Sequence, residues 1–403
     1  MRRMLALVLA GLATVAAGQA PQPQPAPAPA PAPAPQPAIP ATPPQVPGRG
    51  WVLFDHASGQ VLAGHNEHVP ADPASITKVM TSYLVAEALA AGRISRDDEV
   101  FISERAWREG GAGTDGSFSA LSVNSRVRLE EVVHGMVIQS GNDASIALAE
   151  HIAGSEEAFA DLMNATARRL GMRNSNFVNS HGLTAPGHQM SPYDIAVLSS
   201  ALIRDFPDHY ALYSMREYTY GGIRQYNRNG LLFRDATVDG IKTGHTSAAG
   251  YCLAASAQRG DQRLISVVMG IEGSRSEGFR QREDANQALL NWGFRAFETH
   301  RLYAAGEVVA APDIWRAAAD QARLGVARDL FVTIPRGRYE ELRAEMLLPE
   351  TVIAPQAQGA AVGSVKVTLA GEAVAEAPLV SLDEHPEAGF FRRTWHAFLL
   401  LFE

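Results

Sequence analysis

The sequence predicts an α+β fold, an antiparallel sheet with flanking helices, followed by a small C-terminal β-rich domain. Three observations predict it. Alternating apolar segments read as strands open the folded body and return after residue 237. Segments with helical periodicity fill the interval between them. Beyond residue 298 the composition shifts to short alternating segments separated by Gly and Pro turns. Strands, then helices, then strands place helices on an antiparallel sheet, not in alternating parallel units.

The chain opens with Arg2 and Arg3, an apolar stretch at residues 4–17 and a small-residue site at Gly18-Gln19-Ala20. This is the pattern of a secretory signal peptide over residues 1–20, and the Arg pair lacks the rest of a twin-arginine signal. The alternative, a membrane anchor, would need a longer apolar run. No cysteine lies near the cleavage site to carry a lipid. Residues 21–48 hold 13 of the 24 prolines, mostly as Ala-Pro repeats, and read as a disordered linker. Such a tract acts as a semi-rigid spacer or as a solubilising tail.

The first domain is expected over residues 49–298. Residues 51–55 and 60–63 flank the turn at 56–59 and read as a β-hairpin. Helices are predicted over 75–91, 129–153, 156–170 and 191–204, with a Gly-containing turn at 140–142 inside the second. Strands follow at 238–243, 250–257 and 263–270, then a helix at 282–292. Residues 299–385 form the β-rich second domain, with strands at 330–334 and 362–369. The final segment, 386–403, is an amphipathic helix. Phe391, Trp395, Phe398 and Phe402 share one face and Leu399 adds to it, while Arg392, Arg393 and His396 lie off it. This fits a helix lying in a membrane interface, its cations meeting anionic lipid. The alternative is a helix docked on the domain or on a second copy.

Composition excludes several classes of function. Of 403 residues, 35 are basic and 43 acidic, so no excess of cations is available to neutralise nucleic-acid phosphates. The one cysteine, Cys252, rules out internal disulfides, a multi-cysteine zinc site and an iron–sulfur cluster, and a buried strand thiol is its expected state. Only three of the basic residues are lysines, Lys78, Lys242 and Lys366; the other 32 are arginines. Lysine can lose its proton at a buried site and arginine cannot, so these few positions carry information.

Lys78 ends Ser75-Ile76-Thr77-Lys78 at the start of a predicted helix. The i, i+3 spacing puts the amine within reach of the Ser75 hydroxyl. A serine hydroxyl becomes a useful nucleophile when a base takes its proton, and a neutral lysine can be that base. Alone the tetrad is weak, since roughly one chain in five with three lysines would show it by chance. Lys242-Thr243-Gly244 at a strand end is rarer, at roughly one chain per hundred. Its hydroxyl and ammonium could hold a substrate carboxylate, and its glycine would let a substrate backbone approach. Ser140-Gly141-Asn142 lies in the tight turn between helices. A Ser there could relay a proton and the Asn could grip an amide. Ser122-Val123-Asn124 offers the same cheap pattern without that turn.

Ser-x-x-Lys, Ser-x-Asn and Lys-Thr-Gly in this order form the signature of penicillin-recognising serine acyltransferases. From about Gly50 onward the chain resembles the DacA-like D-alanyl-D-alanine carboxypeptidases among the low-molecular-mass penicillin-binding proteins. The segments at 222–232, 238–246 and 291–295 share in the resemblance. It implies a β-lactamase/transpeptidase-like fold and a serine peptidase that removes the terminal D-alanine from peptidoglycan pentapeptide stems. It also implies acylation by β-lactams, no cofactor and no metal. By the resemblance Ser75 is the acylated nucleophile, Lys78 its general base and Ser140 a proton-transfer group. Asn142, Lys242, Thr243 and Gly244 bind substrate, and His245 supplies an oxyanion-hole N–H. Arg282, ten residues before Trp292-Gly293, meets the substrate carboxylate; Arg275 or Arg280 could take its place. His181 and Asp194 match positions near the site and read as scaffolding.

The expected location is the periplasm, on the outer face of the cytoplasmic membrane through the C-terminal helix. Within the same chemistry the alternative is a D,D-endopeptidase acting on cross-links. From another class it is a non-catalytic wall- or membrane-binding protein on this scaffold. A Ser-His-Asp hydrolase lacks its Gly-x-Ser-x-Gly elbow, a metallopeptidase its His-Glu-x-x-His, and a β-lactamase its Glu-x-x-Leu-Asn.

Overall fold

A computed structural model describes residues 42–399, Asp115 excepted. The expected signal peptide, most of the linker and the last four residues, with Phe402, lie outside the described residues.

The hairpin forms from strands β1 (Gly50–Asp55) and β2 (Val61–His65), with Trp51 opposite His65. Three helices matter for the site: α1 (Lys78–Ala90), α2 (Asn142–Ala153) and α3 (Pro192–Asp205). The later strands are β3 (Val238–Thr246), β4 (Gly250–Arg259) and β5 (Gln262–Ile271), and α4 (Arg275–Ala296) closes the first domain. The strand order is β2-β1-β5-β4-β3, with every pair antiparallel.

Strand alternation divides the core into two layers. Val52, Phe54, Cys252, Ala254, Ile265 and Val267 face the large helical layer; Leu53, Leu253, Ala255, Ala257, Leu264 and Val268 face α4. Both faces of the sheet are covered, so β4 reads as a nearly continuous run of small apolar residues. Leu289 and Leu290 of α4 are fully buried against it. Full burial of such a side chain contributes about 1.5–3 kcal/mol. Because β3 lies at the sheet edge, one row of its backbone groups has no strand partner.

The predicted 129–153 helical segment breaks at the turn expected within it. An α-helical stretch, Leu129–His134, passes into a π-helical turn, Gly135–Gln139, and Ser140 then adopts a left-handed conformation with φ 69°. π-Turns of this kind concentrate at functional sites. The structure also contains a helix at Glu104–Gly110 and a hairpin at Glu217–Tyr220 and Ile223–Tyr226 that periodicity did not predict.

From Phe297 onward the chain builds an antiparallel sheet around Leu324, Val326, Val365, Val367 and Leu379. It meets the first domain through the 56–59 turn. Buried Asp55 accepts hydrogen bonds from Thr299 Oγ1 (2.6 Å) and Ser58 N (2.9 Å), and Ser58 Oγ lies 2.6 Å from Thr333 Oγ1.

The C-terminal helix, Phe390–Leu399, leaves Phe390, Phe391, Trp395 and Phe398 exposed. Its cations do not wait for lipid as expected. Arg392 pairs with Asp320 and Arg393 with Glu387, while His396 Nδ1 accepts from the Arg316 backbone N–H at 2.8 Å. The polar side docks on the second domain and the aromatic side faces out. Among the described residues, no helix is long and apolar enough to cross a membrane.

Candidate active site

Ser75 does not stand on the α-helix proper. It lies in a 3₁₀ turn, Ala74–Thr77, that leads into α1 at Lys78. Ala74, immediately before Ser75, carries φ 48°, a left-handed conformation unusual for alanine. Two glycines make room for this turn. A Cβ on Gly182 would overlap the Ala74 carbonyl oxygen, and one on Gly244 would sit 2.8 Å from the Pro73 carbonyl oxygen. Gly244 therefore serves the close approach of β3 to the chain's own turn before Ser75, a reason distinct from the substrate approach expected of it.

Lys78 joins two of the three motifs, Ser-x-x-Lys and Ser-x-Asn. Its Nζ donates to Asn142 Oδ1 and to the His181 carbonyl, both at 2.6 Å, and lies 3.1 Å from Ser75 Oγ. The side chain is 1 % exposed. Burial lowers its pKa to about 7, and the Arg228 guanidinium adds to the effect, while Asp143 and Glu156 oppose it. The low value fits the neutral lysine that Ser75-x-x-Lys78 would need as a base.

Asn142 starts α2, and its neighbour Asp143 anchors the loop above. The Asp143 carboxylate accepts from the backbone N–H groups of Ser119 (2.8 Å) and Leu121 (3.3 Å). Ser140 is buried at the preceding left-handed turn. On β3, Lys242 and Thr243 are buried, and Lys242 Nζ reaches the Thr243 carbonyl at 3.4 Å. Burial holds Lys242 well below the ordinary lysine range, with Lys78, Arg228 and Arg282 adding positive charge around it. His245 is exposed and stacks on Tyr251 with ring centroids 4.1 Å apart.

The three arginines considered for the carboxylate separate clearly. Arg275 and Arg280 are exposed; Arg282 is buried, lies over the Phe279 ring and donates to the Arg228 carbonyl at 3.2 Å. Its Nε has no hydrogen-bond partner. His181 belongs to the site through its carbonyl. Asp194 does not reach this lysine network; it accepts from Asn174 N and Ser175 Oγ at the start of α3. Cys252 is a buried thiol pushed up to about 11 by desolvation.

Sequence reasoning missed Arg228, Asp143 and Glu156. Arg228 sits in the 222–232 segment that carried the resemblance, and its Nε donates to the Gln139 carbonyl at 2.9 Å. That position inside a matching segment was the available signal.

The match to the family described as D-alanyl-D-alanine carboxypeptidase spans residues 38–273, more than half of the chain. The chain belongs to the D-alanyl-D-alanine carboxypeptidases. Residues 297–387 match the penicillin-binding protein 5 C-terminal domain. The carboxypeptidase DacA of Escherichia coli K12 is 42% identical over 362 residues, 89% of each chain. Penicillin binding protein 5 from Haemophilus influenzae superposes with TM-score 0.81 at 40% identity, covering 86% of this chain and 99% of that one. Penicillin-binding protein D2 from Listeria monocytogenes, solved in a cefotaxime-bound form, is 26% identical with TM-score 0.53, over 62% of this chain and 98% of that one. The fold expectation holds: this carboxypeptidase has a mixed α+β transpeptidase-like domain and a β-rich C-terminal domain. It is a serine-type enzyme, and its family implies a peptidoglycan peptide as substrate and β-lactams as ligands.

Proposed function

We propose that this carboxypeptidase releases the terminal D-alanine of pentapeptide stems through an acyl-enzyme on Ser75, with Lys78 as the general base. The observation that carries this reading is the set of partners around Lys78 Nζ. A neutral amine has two N–H bonds and one lone pair. The Asn142 amide oxygen and the His181 carbonyl, both at 2.6 Å, take the two N–H bonds. The lone pair then remains for the Ser75 hydroxyl proton, with Oγ at 3.1 Å.

Ser75 Oγ attacks the D-Ala-D-Ala carbonyl and its proton passes to Lys78. Ser140 relays a proton to the departing amine of D-alanine. Water then hydrolyses the ester and regenerates Ser75. Asn142, Lys242, Thr243 and Gly244 bind the substrate. The His245 backbone N–H on the sheet-edge strand stabilises the oxyanion. Arg282, held charged beneath the cleft, receives the terminal carboxylate in preference to the exposed Arg275 and Arg280.

Around this site, residues 1–20 act as a cleaved export signal and 21–48 as a spacer. The aromatic face of the C-terminal helix rests on the outer surface of the cytoplasmic membrane. Its arginines being paired internally, contact rests on Phe390, Phe391, Trp395 and Phe398.

The test feeds defined pentapeptide and cross-linked dimer to the enzyme, assays free D-alanine, and records intact mass after penicillin treatment. D-alanine release from pentapeptide and a penicillin adduct, both lost in Ser75→Ala, are expected. Absence of an adduct, or an adduct that survives Ser75→Ala, overturns the assignment.

A further inference from the structure

The His181 carbonyl that orients Lys78 belongs to a short segment with its own anchor. Ser180 N and Ser180 Oγ both donate to Glu156 Oε1, at 3.0 and 2.6 Å. His181 Nδ1 accepts from Leu183 N at 3.1 Å, which leaves the ring proton on Nε2, and Nε2 lies 3.5 Å from the same Glu156 oxygen. The other carboxylate oxygen, Oε2, accepts from Arg105 at 3.1 Å. Glu156 is 3 % exposed, an unusual place for a carboxylate. It sits at the first position of the Glu156–Arg169 helix, where the dipole favours its charge. Arg105 lies on the surface helix Glu104–Gly110 and also pairs with Glu109 and Glu157. A continuous polar path thus runs from the protein surface, through a buried acid, to the backbone that holds the catalytic amine.

We propose that the Arg105–Glu156 pair is a positioning element for acylation. It fixes the segment carrying the His181 carbonyl, and it sets the electric field at Lys78 Nζ. This role rests on Lys78 being the base. The charged and titratable groups facing Lys78 are Asp143 from α2, Glu156 from the helix after it, Arg228 from the segment after the 217–226 hairpin, Lys242 from β3, and His181 and His188 from the loop before α3. Of these, Glu156 is the one connected to a surface residue by a direct ion pair, so its effect on Lys78 can be changed from outside the cleft. Removing its charge lowers the affinity of Lys78 for a proton; removing Arg105 leaves that charge uncompensated and raises it.

The experiment measures the second-order rate of acylation by a penicillin against pH for the wild-type enzyme, Glu156→Gln, Arg105→Gln and the double variant. Glutamine keeps the shape of Glu156 and an oxygen for Ser180. The acidic limb of Glu156→Gln is expected to move to lower pH by about half a unit or more, and that of Arg105→Gln to higher pH by a similar amount. The double variant is expected to fall between the two single variants, because the two charges act on Lys78 Nζ with opposite signs and their effects add. A purely structural role would slow both single variants at every pH without moving the limbs apart. Coincident limbs in all four enzymes overturn the proposal. Full acylation by Lys78→Arg would instead overturn the base assignment on which it rests, so the two failures are distinct. Thermal unfolding of each variant identifies any that fails to fold, and limbs are compared only among folded variants. If Glu156→Gln does not fold, Arg105→Gln alone decides, an unmoved limb refuting the field effect.

Discussion

Replacing Asn142 by Asp tests the lysine-base reading most directly. The change is nearly isosteric, but it places a carboxylate oxygen where the amide oxygen now sits, 2.6 Å from Lys78 Nζ. An opposite charge at such a distance raises an amine pKa by about 1–3 units. Lys78 starts at about 7, so the variant should titrate at roughly 8–10. At pH 7 about half of the wild-type lysine is neutral, against roughly one part in 3000 for an ordinary lysine. In the variant the neutral fraction drops to between about 9% and 0.1%, so acylation at pH 7 should fall about 5- to 500-fold. The assay is acylation by a penicillin, followed by intact mass, from pH 6 upward. The deficit should shrink about tenfold per pH unit until the new pKa is passed. This recovery separates the explanation from loss of a substrate contact, which alkali would not restore. An acidic limb unchanged from wild type would refute the reasoning.

Two further outcomes follow from the surroundings of the site. Burial lowers His56, His188 and His209 to about 4 and His181 to about 3, so each stays neutral in the folded enzyme while its unfolded counterpart protonates below about 6.5. The unfolded state therefore binds more protons, and stability falls as pH drops from about 6.5 toward 4, by about 2 kcal/mol per histidine at pH 5. Thermal unfolding at pH 7 and pH 5 checks this, and equal midpoints would contradict it. Gly182→Ala should lower both the unfolding midpoint and the acylation rate, because φ +90° excludes a side chain and its Cβ meets the Ala74 carbonyl. Wild-type acylation in that variant would show that Gly182 does not support the nucleophile turn.

The parts of the fold legible in the sequence are those whose residues state their own environment. The sheet strands alternate or run apolar according to how their faces are covered, and Ser155 and Ser191 cap predicted helices by accepting from backbone N–H groups. The α4 helix was read too short, at 282–292, because Gly278 counts against a helix by propensity. In the structure that glycine is required. A Cβ there would run into the Tyr251 ring, so contact with β4 overrides local preference. The site divides in the same way. In the proposed mechanism Ser75, Lys78, Asn142 and Lys242 act through side chains at fixed spacings, which sequence displays. The His181 carbonyl acts through the backbone, which every residue possesses, and Glu156 and Arg105 act through a fold that brings three distant segments together. None of these has a spacing to recognise.

The scarcity of lysine gains its meaning from a comparison within the site. Lys78 and Arg282 are both buried, at 1 % and 4 % exposure, and burial lowers the pKa of each. Arg282 is brought down to about 10 and Lys78 to about 7. At neutral pH a group titrating at 10 is neutral in about one molecule per thousand, and one titrating at 7 in about half. Similar burial therefore leaves the arginine a permanent cation, suited to a substrate carboxylate, and turns the lysine into a usable base. In a chain that writes arginine at 32 of its 35 basic positions, one of the three lysines stands where the proposed mechanism needs a cation able to lose its proton. Lys78→Arg would keep the charge and remove the lone pair. A folded Lys78→Arg enzyme should accordingly show no acylation at any pH from 6 to 9. An acidic limb shifted upward, in place of abolition, would mean that the proton leaves Ser75 by another route.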